Sequence, residues 1–350
     1  MMRSSEELRQ LDPDNMFGHI YGIADQMESA MKIGRNIKFK RDYSAAKNIL
    51  FAGMGGSAIA GDVASALISK NCKIPTVVNR NYSLPQWVDE STLVICLSYS
   101  GNTEETLSCL DDAYQKGAMI LGISTGGQIV IKLEEQRRDV VKIPEGLPPR
   151  AALGYLFVPI LYVLKEGGIL GSLDENALQS SIDLLKIERD SFSTEGEENR
   201  AWDIANTIYS SVPVIYGEAQ STAVAALRWR GQLEENAKMV AFNNVLPEMN
   251  HNEIVGYKNN PDILRNLGII WLSDGSDHER NRRRRELTKS IIGDRVLYQL
   301  DISGKGESYL ERLMYLIHLG DWISYWCAIL HKTDPTPVES ISKLKKSLSE

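Results

Sequence analysis

The chain opens on a helical period. Met16, Ile20, Ile23, Met27 and Met31 recur at three- and four-residue spacing, an amphipathic stripe that makes the opening segment read as helix. The period then shortens. Asn48-Ile-Leu-Phe-Ala is a short apolar run that ends in the turn Gly53-Met-Gly-Gly-Ser57, and Ala58 to Lys70 returns to helical spacing. PTVVN at 75–79 predicts a second strand and TLVICL at 92–97 a third, followed by Ser98-Tyr-Ser-Gly-Asn-Thr103 and a helix through about Gln115. AMILGIS at 118–124 predicts a fourth strand, and Val140 to Ile143 reads as a fifth. Strands alternating with helices predict βαβ units and a parallel sheet covered on both faces.

Residues 151–166 and 176–208 read as helices and divide the chain. VPVIYG at 212–217 starts a second strand–turn–helix unit, which runs on through GEAQSTAVAALRWRGQLEENAK; GIIWLS at 268–273 leads into DGSD and a further helix. Set side by side, FAGMGGSAIA faces IYGEAQSTAVA, and LVICLSYSGNTEE faces IIWLSDGSDHE. This is the pattern of a diverged internal duplication of one α/β unit. The second copy has lost most of the glycine and serine turn chemistry, so only the first half is expected to hold an anion.

Composition narrows the class. Hydrophobic residues make up 43% and charged residues 24%, a globular balance. The net charge is −7, so a nucleic-acid partner would find no basic field overall. Arg282 to Arg285 cannot share one helical face and are flanked by Glu279 and Glu286, which reads as a solvated helix or a dimer contact. Cys72, Cys96, Cys109 and Cys327 show no CxxC pair and no His at ligand spacing, which argues against disulfides or zinc and fits a reducing cytoplasm. MMRSSEELRQLDPDN has no apolar core, so no export signal is expected. The longest uncharged, mostly apolar run, Ala151 to Leu164, is too short to span a bilayer.

Two loops of the first half carry the chemistry. Gly53-Met54-Gly55-Gly56-Ser57 lies at a strand-to-helix turn, where glycines let backbone approach a ligand and the helix offers free N–H groups. Ser98-Tyr99-Ser100-Gly101-Asn102-Thr103 puts hydroxyls at the carboxyl end of a buried strand, where parallel sheets bind ligands. Hydroxyls and helix N–H groups can hold a phosphate without Lys or Arg. The same residues could do no more than cap the helix, with Glu104 and Glu105 in its first turn. Two such loops in one sheet favour the anion. Gly53-x-Gly55-x-x-Ala58 also fits a loose dinucleotide fingerprint, but Asn79-Arg80 stands where an acidic ribose partner belongs. NAD is therefore disfavoured, and NADP only weakly allowed.

With both loops in hand, the sequence resembles the sugar isomerase (SIS) domain family, of which SYSGNTEET is the strongest mark. The chain as a whole resembles the bifunctional phosphoglucose/phosphomannose isomerases of the phosphoglucose isomerase superfamily. The likeness is carried by AGMGGSAIAGD (52–62), LSYSGNTEET (97–106), GLPPRAALGY (146–155), RGQLEENAK (230–238), PEMNHNEIVG (247–256) and DPTPVESISKLK (334–345), in order along nearly the whole chain. The chain is somewhat longer than typical relatives, and 182–200 is where part of the excess is expected. The resemblance implies an α/β fold of two SIS-type subdomains, each a parallel sheet flanked by helices. Residues 1–165 would hold the phosphate site, and 166–350 the catalytic Glu and His with a C-terminal helix. It implies a cytoplasmic homodimer with active sites shared between subunits, acting on hexose 6-phosphates, with no cofactor, metal, nucleic acid or membrane. Glucose 6-phosphate and mannose 6-phosphate would each interconvert with fructose 6-phosphate. Gly56, Ser57, Ser98, Tyr99, Ser100 and Thr103 would hold the phosphate. A regulator that merely binds sugar phosphates is the alternative, needing the loops but no base.

Interconverting aldose and ketose moves a proton between adjacent carbons through an enediolate, and one carboxylate can take it from C2 and return it to C1. The motif match selects Glu235 over Glu234, since helix neighbours point about 100° apart. Read without the resemblance, Glu235 is a solvent-facing helix carboxylate and His251 a solvated loop histidine. Within the family pattern His251 would open the sugar ring, imidazole being half-protonated near neutrality. Arg150, after two prolines and before an apolar helix, would stabilise the enediolate; a cation at the positive end of a helix wants a reason. Lys343, Lys345 and Lys346 share the last helix, and the IxxLK spacing selects Lys345, with Lys343 its rival. His318, in an apolar helix, reads as a packing histidine.

Overall fold

The structure is a computed structural model that describes residues 7, 10–194, 196 and 198–348. It divides into two compact units, Gly22–Asp183 and Met1–Tyr21 together with Leu184–Glu350. Most of the opening segment read for an export signal lies outside the described residues. The boundary expected at 165/166 falls instead at 183/184, inside the helix Glu175–Phe192, and the residues up to Tyr21 join the later half. No turn or change of composition marks a break inside a continuous helix, which is why the sequence did not show it.

In the unit Gly22–Asp183, strands β1 (Asn48–Ala52), β2 (Thr76–Asn79), β3 (Thr92–Leu97), β4 (Met119–Ser124) and β5 (Asp139–Lys142) form a sheet of order β2-β1-β3-β4-β5. Every pairing is parallel; Leu50 lies opposite Val77 on one side and Val94 on the other. All six residues of β3 are buried, as an unbroken apolar run in a two-sided sheet requires. One face packs Leu50, Val94, Cys96 and Ile120 against Cys109, Leu110 and Ala113 of the helix Glu104–Gln115 and Ile129 and Leu133 of Gly127–Glu135. The helices Gly55–Ile68, Leu153–Glu166 and Ile23–Arg35 pack in sequence, each on the next.

The other unit holds a second parallel sheet of order β7-β6-β8-β9, built from β6 (Val212–Glu218), β7 (Phe242–Leu246), β8 (Leu267–Ser273) and β9 (Tyr298–Ser303). Tyr216 of β6 and Trp271 of β8 are register partners and stack with ring centroids 4.7 Å apart. β7 and β9 escaped the sequence reading. Their FNNVL and YQLDIS patterns are polar because they are edge strands, and most of their positions are only half-buried or exposed. The expected 176–208 helix is two helices, Glu175–Phe192 and Arg200–Ile208. Asn199 caps the second through Oδ1 to the N–H groups of Ala201 (2.8 Å) and Trp202 (3.1 Å). Glu195 and Glu197, within the expected extra segment 182–200, lie outside the described residues.

The helix Tyr309–Leu330, 22 residues long, is by length and composition able to cross a membrane. In this fold it is the core of its unit, buried at every residue from Leu313 to Ile329. A reciprocal cap starts it: Glu311 N–H donates to Ser308 Oγ (3.1 Å), and Ser308 N–H to Glu311 Oε2 (2.8 Å). Asp321 interrupts its apolar run and is paired with Arg228, both being buried.

Candidate active site

The first sheet changes direction of winding between β1 and β3, and ligands of open α/β sheets bind at such a switch point, beyond the carboxyl ends of the strands. Both glycine- and hydroxyl-bearing loops start there. They are tied to each other: the Tyr99 N–H donates to Ser57 Oγ at 3.2 Å. Ser57 and Ser98 are buried, whereas Ser100 is exposed. Ser98 Oγ and Thr103 Oγ1 lie 2.9 Å apart, and Ser98 Oγ also accepts from the Gly101 N–H at 3.1 Å.

Thr103 stands at the N-cap of Glu104–Gln115, yet its hydroxyl does not cap that helix. Met54, at the N-cap of Gly55–Ile68, supplies no side-chain cap either. The capping alternative therefore does not describe these hydroxyls, and two helix N-termini at the switch point lack the side-chain cap that usually satisfies their first N–H groups. Such ends attract anions.

Arg150 arrives at the same loop. It lies in the turn Pro149–Ala151 and is 5% exposed. A Cβ at Gly56 would sit 2.8 Å from the Pro149 carbonyl oxygen and 3.1 Å from the Arg150 Cα, so glycine is what lets this turn close on the GMGGS loop. Tyr99 does a different job from the hydroxyls beside it. Its phenol donates to the Pro144 carbonyl (2.9 Å) and accepts from the Leu147 N–H (3.2 Å), strapping the loop to the segment that leads to Arg150. Burial, the largest influence, pushes that phenol's pKa up.

The sequence reading missed a third loop. Gly101, at φ 71°, packs so closely on Gly126 that a Cβ there would lie 1.8 Å from the Gly126 carbonyl oxygen. Asn102 Oδ1 accepts from the Gln128 N–H at 3.0 Å, and Thr125 Oγ1 donates to the Tyr99 carbonyl at 2.7 Å. Ser124-Thr125-Gly126-Gly127 thus buttresses the hydroxyl loop from β4. The glycine pair was the available signal.

The corresponding switch point of the second sheet, between β6 and β8, is filled with acid. Glu218, Asp274 and Asp277 are buried there. Ser221 Oγ bonds both Glu218 Oε2 (3.0 Å) and Asp277 Oδ1, and Arg312 Nε reaches Asp274 Oδ2 at 2.7 Å. Burial raises the pKa of Asp277; for Asp274 burial acts the same way but is outweighed by Arg312 and Ser276, so its pKa falls. An anion finds no welcome here, in keeping with the lost glycine and serine chemistry. Among the described residues no group of three His, Cys, Asp or Glu is placed to hold a metal ion.

Glu235, His251 and Lys345 all belong to this second unit. Glu235 lies in the last turn of Ala223–Asn236 and is half-buried, while Glu234 beside it is exposed, 3.7 Å from Arg230. The side of the helix away from Glu234 is locked to Tyr309–Leu330. Arg228 makes two bonds to Asp321 (2.9 and 2.8 Å), Gln232 Nε2 adds a third at 2.8 Å, and Asn236 Nδ2 donates to Ser324 Oγ at 2.9 Å. His318 is fully buried, as its apolar setting suggested.

His251 closes the 3-10 turn Glu248–His251 and is exposed. Its loop is held on both sides. Met249 is buried in the core of the unit, and Asn250 Nδ2 donates to Thr288 Oγ1 at 2.7 Å. Glu253 receives bonds from Tyr216 and Asn244, and Tyr216 is in turn bonded to Tyr257, whose pKa burial pushes up to about 12. The sequence reading assigned nothing to Glu253, since its partners lie on β6 and β7. Lys343 and Lys345 are both exposed on the helix Glu339–Leu348, which buries no residue.

Comparison with known proteins accords with this arrangement. Residues 42–132 match the family model for the SIS domain, and residues 197–348 that for the bacterial phospho-glucose isomerase C-terminal SIS domain. Each half thus matches an SIS domain, as a duplication requires. The C-terminal domain of glucosamine-fructose-6-phosphate aminotransferase from Francisella tularensis shares the fold, with a TM-score of 0.70 at 15% identity, covering 92% of this chain and 98% of that one. The chain is 37% identical over 311 residues to the bifunctional phosphoglucose/phosphomannose isomerase of Aquifex aeolicus, covering 89% of this chain and 93% of that protein. It is 42% identical over 337 residues to the protein of that name from Caldicellulosiruptor bescii, covering 96% of this chain and 99% of its relative. Kinship at that level along nearly the full length of both proteins means that the chain belongs to the bifunctional phosphoglucose/phosphomannose isomerase family.

Proposed function

We propose that the protein interconverts glucose 6-phosphate and mannose 6-phosphate with fructose 6-phosphate through an enediolate. The observation that carries this reading is the pair of loops at the β1/β3 switch point, tied together at Ser57 and Tyr99 and closed by the turn that bears Arg150. They offer hydroxyls and uncapped helix ends to a phosphate. Gly56, Ser57, Ser98, Ser100 and Thr103 hold it in this reading; Tyr99 contributes its backbone and its strap. Glu235 moves the proton between C2 and C1, and His251 opens the ring. Arg150 stabilises the enediolate oxygen, where a fixed cation is worth most in the transition state. Lys345 completes the set. Lys343 lies about 200° round the helix from it, so only one of the two can face a given pocket.

The same reading makes the protein a cytoplasmic homodimer with shared sites. Ile341, Leu344 and Leu348 stand exposed at 41%, 61% and 64% along one stripe of the terminal helix, a surface suited to a second copy. All four cysteines are unpaired, which fits a reducing compartment. A regulator would need the loops alone, and a well-anchored histidine loop would serve it no purpose. The test is a coupled assay of the purified protein with each aldose phosphate, with and without EDTA. Turnover of both, unchanged by the chelator, is the expected result. Binding of sugar phosphates without turnover would leave the regulator.

A further inference from the structure

The helix Ala223–Asn236 ends in an unusual way. Ala237 follows it, and Lys238 then adopts φ 56°, the left-handed conformation. Glycine usually fills that position after a helix, because a side chain there is strained. A lysine persists in such a conformation only if its surroundings hold it. What holds it is its own ammonium. Lys238 Nζ donates to the backbone carbonyls of Glu235 (2.8 Å) and Asn236 (3.3 Å), and to those of Asp334 and Pro335 (3.0 Å each). The first two are end-of-helix carbonyls, at the negative pole of its dipole. The other two precede the helix Glu339–Leu348, which carries Lys343 and Lys345.

The buried bonds from Arg228, Gln232 and Asn236 fix the inner face of the helix. Glu235, seven residues on and so only about 20° round the helix from Arg228, lies beside that face in the last turn, whose closing carbonyls Lys238 holds from beyond the end. We propose that Lys238 is a positioning residue: one ammonium fixes the terminal turn that aims Glu235 and ties it to the segment that leads to the C-terminal lysines. This rests on the reading of Glu235 as the base. Lys238 touches no reacting atom in this account; it acts by keeping the carboxylate where the proton is transferred, and small misplacements there are costly to turnover.

Lys238→Gly and Lys238→Asn test it, because both residues accept the left-handed backbone and neither reaches the carbonyls. With either aldose phosphate, kcat should fall about tenfold or more while KM stays within about twofold, the signature of a loss felt in the transition state. The thermal midpoint should move by only a few degrees. Lys238→Arg, which keeps the donors, should recover much of the rate. Adding Lys238→Gly to Glu235→Gln should cost nothing further, since the lysine has no carboxylate left to aim. If Glu235→Gln is inactive and both Lys238 variants turn over normally, the positioning role is overturned and the base is not. Equal further loss in the double variant also overturns it, as does collapse of the fold in both Lys238 variants. An active Glu235→Gln variant instead overturns the reading on which the proposal stands.

Discussion

Ser98 and Ser100 stand two positions apart in one loop, yet they have different surroundings. Ser98 is buried between Thr103 and the Gly101 N–H, while Ser100 is exposed. Ser98→Ala should therefore raise KM and also destabilise the unit by about 0.5–1.5 kcal/mol, because the hydroxyl's bonds to Thr103 and the Gly101 N–H are lost while the Ser98 carbonyl still accepts from that N–H at 3.1 Å. Ser100→Ala should raise KM with the thermal midpoint unchanged. Steady-state kinetics and thermal unfolding of the two variants separate these effects; an unchanged KM in both would move the phosphate elsewhere. Gly56→Ala is the corresponding test of Arg150. The new methyl would meet the Pro149 carbonyl, so the turn must shift and kcat should drop although the arginine is intact. At this scale the hydroxyls and glycines were legible, since turn chemistry is local. The strap made by Tyr99 was not, because its partners Pro144 and Leu147 reach it only through the fold.

Elements add constraints that no short motif records. The helix Tyr309–Leu330 carries His318, which burial holds down at about 3, with the charges of Arg189 and Arg228 acting in the same direction. Trp322 Nε1 donates to its Nε2 at 3.1 Å, so the ring is neutral in the folded state. The unfolded chain takes up a proton near pH 6.5, and the folded chain does not until about pH 3. The stability this neutral ring allows is complete above the unfolded value and is lost as pH falls below it, at up to about 1.4 kcal/mol per pH unit. His318→Gln keeps an acceptor for Trp322 and removes the titration. Between pH 7.5 and 4.5 its unfolding free energy should fall by about 2–3 kcal/mol less than that of the natural protein in chemical denaturation. Equal losses would place the acid sensitivity elsewhere. The apolar period made this helix legible, whereas edge strands β7 and β9, polar on their open sides, carried no such signal. Neither did the bonds from Tyr216 and Asn244 to Glu253, which join elements distant in sequence.

Across the whole molecule, the duplication was readable because both copies keep the strand–turn–helix rhythm. The division of labour was readable too, though not its cause. Where the first sheet has hydroxyls and glycines, the second has Glu218 and Asp277 bridged by the Ser221 hydroxyl and Asp274 bonded by Arg312. The placement of the segment up to Tyr21 with the later unit had no sequence signal, since an amphipathic stripe does not name the surface it covers. If sites are shared between subunits, mixing inactive Glu235→Gln and His251→Ala proteins under conditions of subunit exchange should restore part of the activity. No recovery despite demonstrated exchange would put base and histidine in one subunit's site.

The central claim is that the Glu235 carboxylate carries the proton between C2 and C1. Fructose 6-phosphate incubated with the enzyme in deuterium oxide, followed by NMR, reads that step directly. The natural protein should place deuterium at C2 of both glucose 6-phosphate and mannose 6-phosphate. Folded Glu235→Gln protein should do so at least about a thousandfold more slowly, a loss of roughly 4 kcal/mol in transition-state stabilisation. Incorporation by that variant at more than about a tenth of the natural rate would contradict the account and assign the proton to another base.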